Sequence, residues 1–306
     1  MVKGILLVFA TAMLAASGPA SKPHALAHKN GVVQTRWSDS TLRSEATYRD
    51  GEYEGPYRTW YQSGRPYELR HYRHGHEEGL QQAWTDTGEL YINYEARDGR
   101  HFGLMNSTPC LPVGPETPAL PYYEAPDFTA RWTPVAHRIG AFTLATQTGA
   151  RISERNFDGR IHVASFIYTR CAAVCPIVVG QLARVQQAVR SLPNVVIVSY
   201  TVTPEDDTLQ ALASFGRDRG VDPERWWLVT GQRDQIYRLA RQSYFADDNR
   251  IGPKAGESSD AFLHTEKVLL VDSGRHLRGV YNGTQPHEID QLIGDIRHLA
   301  ASSKQD

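Results

Sequence analysis

Cys171 and Cys175 stand four residues apart in a chain that contains three cysteines in all. Thiols at this spacing lie on one face when the segment is helical, so their sulfur atoms can converge on one metal ion or on each other. Soft thiolate pairs favour Cu(I) or zinc. The same pair supports thiol–disulfide exchange, with Cys171 as the attacking nucleophile and Cys175 resolving the mixed disulfide. The spacing alone leaves both chemistries open.

The cysteines fall between a predicted buried strand, residues 161–168, and a predicted helix, residues 175–192, which has Pro176 in its first turn. The free amide groups and the positive end of a helix stabilise a thiolate at such a junction. We therefore expect the thiols to have lowered pKa values, which both metal binding and disulfide exchange use.

A third metal ligand is missing from the neighbouring sequence. The closest histidine that follows the pair is His264, just before a predicted strand at residues 267–272. In a thioredoxin-type sheet that connection runs beside the cysteine loop, so the three side chains can converge. A copper site needs such a ligand, whereas an exchange enzyme does not.

The carboxy-terminal part of the chain alternates strands and helices. The order β-α-β-α, then a hairpin and a last helix, is the thioredoxin plan, and residues 226–243 read as an insertion in it. The fold class expected for residues 136–303 is therefore an α/β thioredoxin-like domain. The predicted elements are residues 161–168, 175–192, 195–202, 208–216, 226–230, 232–243, 267–272, 277–281 and a helix from Pro286.

Residues 31–105 follow a different pattern. Glycines recur every 24 residues, at Gly51, Gly75 and Gly99, and aromatic residues keep the same register. One β-hairpin per repeat is predicted, which makes a small antiparallel β domain. The motif resembles the MORN and MORN-variant repeats. That resemblance implies an elongated meander used for contact or presentation, and it identifies no partner.

Two further segments complete the organisation. Residues 1–27 have the pattern of a secretory signal peptide, because Lys3 precedes an apolar run, residues 5–16, that is too short to span a bilayer. We expect an exported protein, in the periplasm or an equivalent compartment, with no transmembrane helix after processing. Residues 106–135 read as a proline-rich linker that carries Cys110 as a spare thiol. The net charge of -1 argues against nucleic acid as a partner.

Residues 120–300 resemble the Sco/SenC family. The likeness rests on an ordered set of motifs rather than on the cysteine pair alone. The matching stretches are Leu120-Pro121-Tyr122-Tyr123 with Pro126-Asp127-Phe128, Asp158-Gly159-Arg160-Ile161, Cys171-x-x-x-Cys175-Pro176, Pro204-Glu205-Asp206-Asp207-Thr208, Leu228-Val229-Thr230-Gly231, and His264 before a strand that ends at Asp272.

The resemblance implies a thioredoxin fold that binds one copper ion through Cys171, Cys175 and His264. It also implies delivery of copper to, or maintenance of, the copper centre of cytochrome c oxidase, whose copper-bearing subunit or another copper or thiol protein would be the partner. One position departs from the family: Thr203 stands where an aspartate usually precedes Pro204.

Two other functions stay open. The same cysteine pair would serve a thiol–disulfide oxidoreductase, which is the enzyme activity to consider for this chain. A repeat-based interaction or scaffold protein would instead use residues 31–105 and carry the thioredoxin-like part as a passenger. Dependence on His264 separates the copper protein from the oxidoreductase.

Overall fold

The computed structural model describes residues 30–104, 119–171, 174–246 and 265–302. The expected signal segment, residues 1–27, lies outside the described residues, and so do Cys110 and His264. None of the helices in the described ranges has both the length and the apolar character that crossing a bilayer requires.

The first part of the chain forms an eight-stranded antiparallel sheet. Its strands are β1 (Gly31–Arg36), β2 (Leu42–Arg49), β3 (Glu52–Trp60), β4 (Pro66–Arg73), β5 (His76–Glu77), β6 (Gly79–Trp84), β7 (Leu90–Arg97) and β8 (Arg100–Leu104). The order is β1-β2-β3-β4-β6-β7-β8, with the short β5 paired to β4 off this path. Apart from β5, strands that follow each other in the chain are therefore neighbours in the sheet.

Tight turns account for the 24-residue repeat. Gly51, Gly75 and Gly99 have φ values of 88°, 76° and 72°, and the residues directly before them have φ between 50° and 52°. Two successive positive φ values are typical of the type I′ turn that joins two antiparallel strands. Tyrosine rings pack between the strands, with centroids 4.8 Å apart for Tyr48 and Tyr53 and 5.0 Å apart for Tyr53 and Tyr72.

The second part builds a seven-stranded sheet with helices around it. The strands are β9 (Thr143–Thr146), β10 (Arg151–Ser153), β11 (Ile161–Ile167), β12 (Val195–Thr201), β13 (Trp226–Thr230), β14 (Lys267–Val271) and β15 (Leu277–Asn282). The helices are α1 (Val174–Ala188), α2 (Leu209–Asp218), α3 (Arg233–Arg238) and α4 (Pro286–Ser302), with a 3₁₀ turn at Glu154–Phe157 and a π turn at Leu239–Ser243.

The strand order is β10-β9-β13-β12-β11-β14-β15, and β11, β12 and β13 run parallel. Every residue of β11 and β12 is buried. Covering both faces of parallel strands explains their unbroken apolar sequences. The unit β11-α1-β12, followed by the hairpin β14-β15 and α4, confirms the thioredoxin-like fold class.

The segment read as an insertion belongs to this sheet. β13 pairs with β12 in parallel, from Ile197 opposite Trp226 to Tyr200 opposite Val229, and it also pairs with β9. The indole of Trp226 is fully buried and donates to Ser199 Oγ at 2.9 Å. The segment expected as an insertion therefore adds a strand to the sheet, because the apolar β13 covers the edge of β12 and extends the core.

The described part of the expected linker, residues 119–135, packs against both sheets. Tyr123 and Phe128 are each 1% exposed. The Tyr123 amide donates to Leu277 O at 3.0 Å, and Asn93 Nδ2 donates to Asp127 O at 2.7 Å. These residues therefore join β7 to β15 rather than acting as a spacer.

Candidate metal centre

Cys171 and Cys175 lie where β11 gives way to α1. The Cys171 amide donates to Tyr168 O at 3.1 Å, which closes a turn just after the strand. Cys175 is the second residue of α1, and Pro176 follows it in the first turn, where a missing amide hydrogen costs the helix nothing. Both cysteines are partly exposed, and neither is part of a disulfide.

The two thiols contact each other through a side-chain hydrogen bond. The structure thus brings together the pair that the sequence predicted. Two soft donors in contact and partly open to solvent can share one ion of the Cu(I) or zinc class, or can close a disulfide.

The electrostatics of Cys175 differ from expectation. Burial raises the pKa of this thiol to about 11; the neighbouring Cys171 adds to the rise, and a hydrogen bond with the Tyr168 backbone opposes it. The predicted lowering of the pKa at the helix start is therefore wrong for Cys175, because loss of hydration outweighs the helix end. At neutral pH this thiol keeps its proton until a metal ion or a base removes it.

A buried carboxylate stands next to the cysteine loop. Asp207 is fully buried, and its oxygens accept hydrogen bonds from the hydroxyl groups of Thr169, Thr201 and Thr203. Thr169 is two residues before Cys171. Thr203, the position that departs from the family pattern, thus serves as a donor to Asp207, at 3.2 Å.

Asp207 belongs to the motif Pro204-Glu205-Asp206-Asp207-Thr208, and no role was predicted for it from the sequence. A usable signal was present: threonines follow or end two neighbouring parallel strands, at Thr169 and Thr201, and their hydroxyl groups need an acceptor when buried.

The chain that leads away from His264 returns to the same edge of the sheet. β14 runs antiparallel to β11, with Leu269 opposite Ala164, so the residues before Lys267 lie level with the end of β11 that leads to Cys171. A Cβ atom placed on Gly283 would lie 2.9 Å from Glu266 O and 3.2 Å from Val178 Cγ1 of α1. Glu266 is therefore held near the first turns of α1.

His264 itself lies outside the described residues, and its role as a ligand stays a prediction. Among the described residues, no group of three or more histidine, cysteine, aspartate or glutamate side chains is placed to hold a metal ion. The two thiols could supply two ligands, and their fit to a soft ion comes from sulfur chemistry.

Apolar side chains flank the thiols at the surface. Val174 is 41% exposed and Ile177 is 50% exposed, on either side of Cys175 in α1. Such side chains beside a reactive pair favour contact with a protein partner over a bare solvent-facing site.

Comparison with known proteins gives consistent matches for the second part of the chain. The family model described as SCO1/SenC matches residues 132–301. The "SCO1 protein homolog" of Bacillus subtilis (strain 168) is 26% identical over 166 residues, which cover 54% of this chain and 83% of that protein. "Protein SCO1 homolog, mitochondrial" of Homo sapiens is 28% identical over 137 residues, 43% of each chain. The chain thus spans less than half of that relative's length.

Two solved structures each match a little over half of the chain. BsSco, described as a member of the Sco family of cytochrome c oxidase assembly proteins with a disulfide switch, has a TM-score of 0.46 and 24% identity, covering 55% of this chain and 96% of its own. Bradyrhizobium japonicum ScoI with copper bound has a TM-score of 0.42 and 21% identity, covering 54% of this chain and 99% of its own.

Proposed function

The chain belongs to the SCO1/SenC family, and on that premise we propose that it is a copper metallochaperone. One copper ion would be held by Cys171, Cys175 and His264. The ion would be delivered to the copper-bearing subunit of cytochrome c oxidase, or used to maintain that centre. The observation that carries the proposal is the contact between two thiols, neither of them in a disulfide, at the start of α1.

The chemistry of the pair supports transfer rather than permanent storage. Thiolates are soft ligands for Cu(I), and two partly exposed sulfur atoms let an incoming ligand reach the ion. Because Cys175 keeps its proton at neutral pH, release of copper can be coupled to uptake of a proton by that thiol. Exposed Val174 and Ile177 give the recipient an apolar contact beside the ligands.

The test is Cu(I) binding by the reduced full chain, measured by competition with a chromophoric Cu(I) chelator. We expect one copper per chain, loss of binding in Cys171→Ser and Cys175→Ser, and weakening of at least about tenfold in His264→Ala, since one ligand bond is worth more than 1.4 kcal/mol. His76→Ala is the matched control, because His76 is exposed in the N-terminal sheet. Absence of stable copper would overturn the proposal.

A thiol–disulfide oxidoreductase is the second candidate, favoured by the same pair of partly exposed thiols. The raised pKa of Cys175 suits the resolving thiol, which leaves Cys171 as the attacking one. Reduction of insulin disulfides separates the two functions. Exchange that is indifferent to His264→Ala, in a chain that retains no copper, would establish the oxidoreductase.

Location and the role of the repeats complete the proposal. Residues 1–27 would direct export, placing the thiols in the periplasm or an equivalent compartment. Residues 31–105, as MORN-like repeats, would present the copper domain to a partner. If a Cys171→Ser/Cys175→Ser variant still restored oxidase activity in cells that lack the protein, a repeat-based scaffold function would replace the copper one.

A further inference from the structure

Asp207 gathers its hydrogen bonds from three separate points of the chain. Thr201 Oγ1 donates at 2.5 Å and Thr203 Oγ1 at 3.2 Å, while Thr169 donates from its hydroxyl group and also from its amide, the latter at 3.3 Å. The carboxylate therefore ties the segment after β11 to the end of β12 and to the loop that follows it.

The setting of this carboxylate is energetically unusual. Asp207 is 0% exposed, and Arg170, the residue after Thr169, pairs instead with the exposed Asp206 at 3.6 Å. Burying a carboxylate that is balanced by neutral donors costs stability, whereas an apolar side chain of similar size would cost nothing. A buried carboxylate that accepts hydrogen bonds from Thr169, two residues before Cys171, calls for a functional explanation.

The two cysteines are anchored by different parts of the fold. Cys175 is fixed by α1, to which it belongs. Cys171 precedes the helix and follows Thr169, so its position depends on what holds the segment after β11. Asp207 adds to the hold given by the bond from the Cys171 amide to Tyr168 O at 3.1 Å, and it is itself fixed by the bond from its amide to Thr203 O at 2.8 Å and by its place before Thr208, the N-cap of α2.

We propose that Asp207 is a positioning residue that acts through Thr169 to keep Cys171 at the spacing from Cys175 that suits a shared ion. This inference rests on the proposed copper function, because the spacing matters only when the pair shares an ion. How Asp207 positions Cys171 is argued from the hydrogen bonds alone. With the hold released, Cys171 moves more freely. The pair then binds Cu(I) less tightly, because the ligands are no longer pre-organised, and it closes to a disulfide more readily.

Isosteric threonine variants test the positioning role, because each removes one hydroxyl group and leaves the buried carboxylate with its other hydrogen-bond donors. Thr169→Val removes the hydroxyl group beside the cysteine loop. Thr201→Val removes a hydroxyl group from the same carboxylate within β12, together with its bond from the Thr203 amide at 3.1 Å. Thr201→Val is thus the matched control, and it is expected to cost at least as much stability. Thr169→Ser restores the donor.

The first readout is the equilibrium of the metal-free pair with glutathione. Cys171 and Cys175 lose two electrons and two protons as the disulfide forms, and one oxidised glutathione becomes two reduced ones. Thr169→Val should shift this equilibrium about tenfold toward the disulfide, which corresponds to about 30 mV. Thr201→Val should leave it within about twofold, and Thr169→Ser should return it to the wild-type value.

The second readout is Cu(I) affinity, which should fall about tenfold in Thr169→Val alone. Equal shifts in the two valine variants, or no shift in either, would overturn the positioning role. If the wild type holds no copper while Thr169→Val still shifts the glutathione equilibrium, the positioning role stands and the metallochaperone proposal fails. The two ideas can therefore fail separately.

Discussion

Arg100 and Asp295 form a buried ion pair between the two sheets, joining β8 to α4. Arg100 Nη2 lies 2.7 Å from both carboxylate oxygens, and the side chains are 5% and 2% exposed. The hydroxyl group of Tyr281 donates to the same carboxylate at 2.7 Å. The N-terminal sheet is thus bound to the thioredoxin-like domain by a charge pair removed from water.

Breaking this pair should be costly. Arg100→Met leaves the Asp295 charge buried without its partner, which typically destabilises a protein by about 3–5 kcal/mol. Arg100→Met/Asp295→Leu removes both charges and should recover much of that loss. Urea unfolding followed by tryptophan fluorescence measures both variants. A double variant as unstable as the single one would show that the ion pair is not what holds the interface.

Copper affinity should rise with pH. Since the pKa of Cys175 is about 11, the incoming Cu(I) displaces one proton from this thiol at any lower pH. Cys175 therefore contributes about a tenfold gain in apparent affinity per pH unit. Competition titrations at pH 6, 7 and 8 give the slope, corrected for the chelator. A slope below one proton in the wild type would mean that the thiol ionises far more easily than its burial implies.

Acid should weaken the fold through His162. This side chain is fully buried, stacks on Phe157 with centroids 4.0 Å apart, and lies 3.0 Å from the Tyr244 hydroxyl group through Nε2. Burial lowers its pKa to about 3. The unfolded chain binds the proton first, so the stability is present above pH 6.5 and is lost as the pH falls toward 3.

The loss from this residue between pH 7.5 and 5.0 should be about 2 kcal/mol, at about 1.4 kcal/mol per pH unit below 6.5. In His162→Met, a correspondingly smaller part of the stability should disappear over that range. Unfolding free energies of both proteins at the two pH values give the difference, in which the other histidines cancel. Parallel pH dependence in the two proteins would contradict the assignment.

Substitution of Gly283 should destabilise the protein, because Val268 and the backbone of Glu266 lie against this position. A Cβ atom there would lie 2.7 Å from Val268 Cγ2 and 2.9 Å from Glu266 O. Gly283→Ala should therefore displace residue 266 and, with it, the approach to His264, lowering Cu(I) affinity as well as stability by about 1–3 kcal/mol. In Gly294→Ala the new methyl group meets nothing within 4 Å, and it should stabilise α4 by up to about 1 kcal/mol.

Much of the fold could be predicted because its strongest signals are local. The buried strands β11 and β12 are continuous apolar runs. Both cysteines lie between these two strands, where β11 leads into α1. The strands β9 and β10 were missed, since three or four residues are too few to show a period.

The interactions that tune the site could not be predicted. Asp207 stands in the run Glu205-Asp206-Asp207; the threonines that end the strands indicate that an acceptor is needed, but the sequence does not show which of these three carboxylates is the buried one. Nor does any local pattern pair Arg100 with a residue 195 positions away. The rise in the pKa of Cys175 comes from how closely the fold covers its sulfur, a quantity that depends on tertiary packing.

The order of the first sheet also bears on synthesis of the chain. Its strands pair with chain neighbours, so it can form once residue 104 has left the ribosome, whereas Asp295 follows Arg100 by 195 positions. At about 5–20 residues per second, that interval lasts roughly 10–40 s. During this interval β8 is an unprotected edge of the sheet, and Asp295, the ion-pair partner of Arg100, has not yet been synthesised. The nascent chain is then most prone to pair with other chains, and the speed of elongation sets how long that risk lasts.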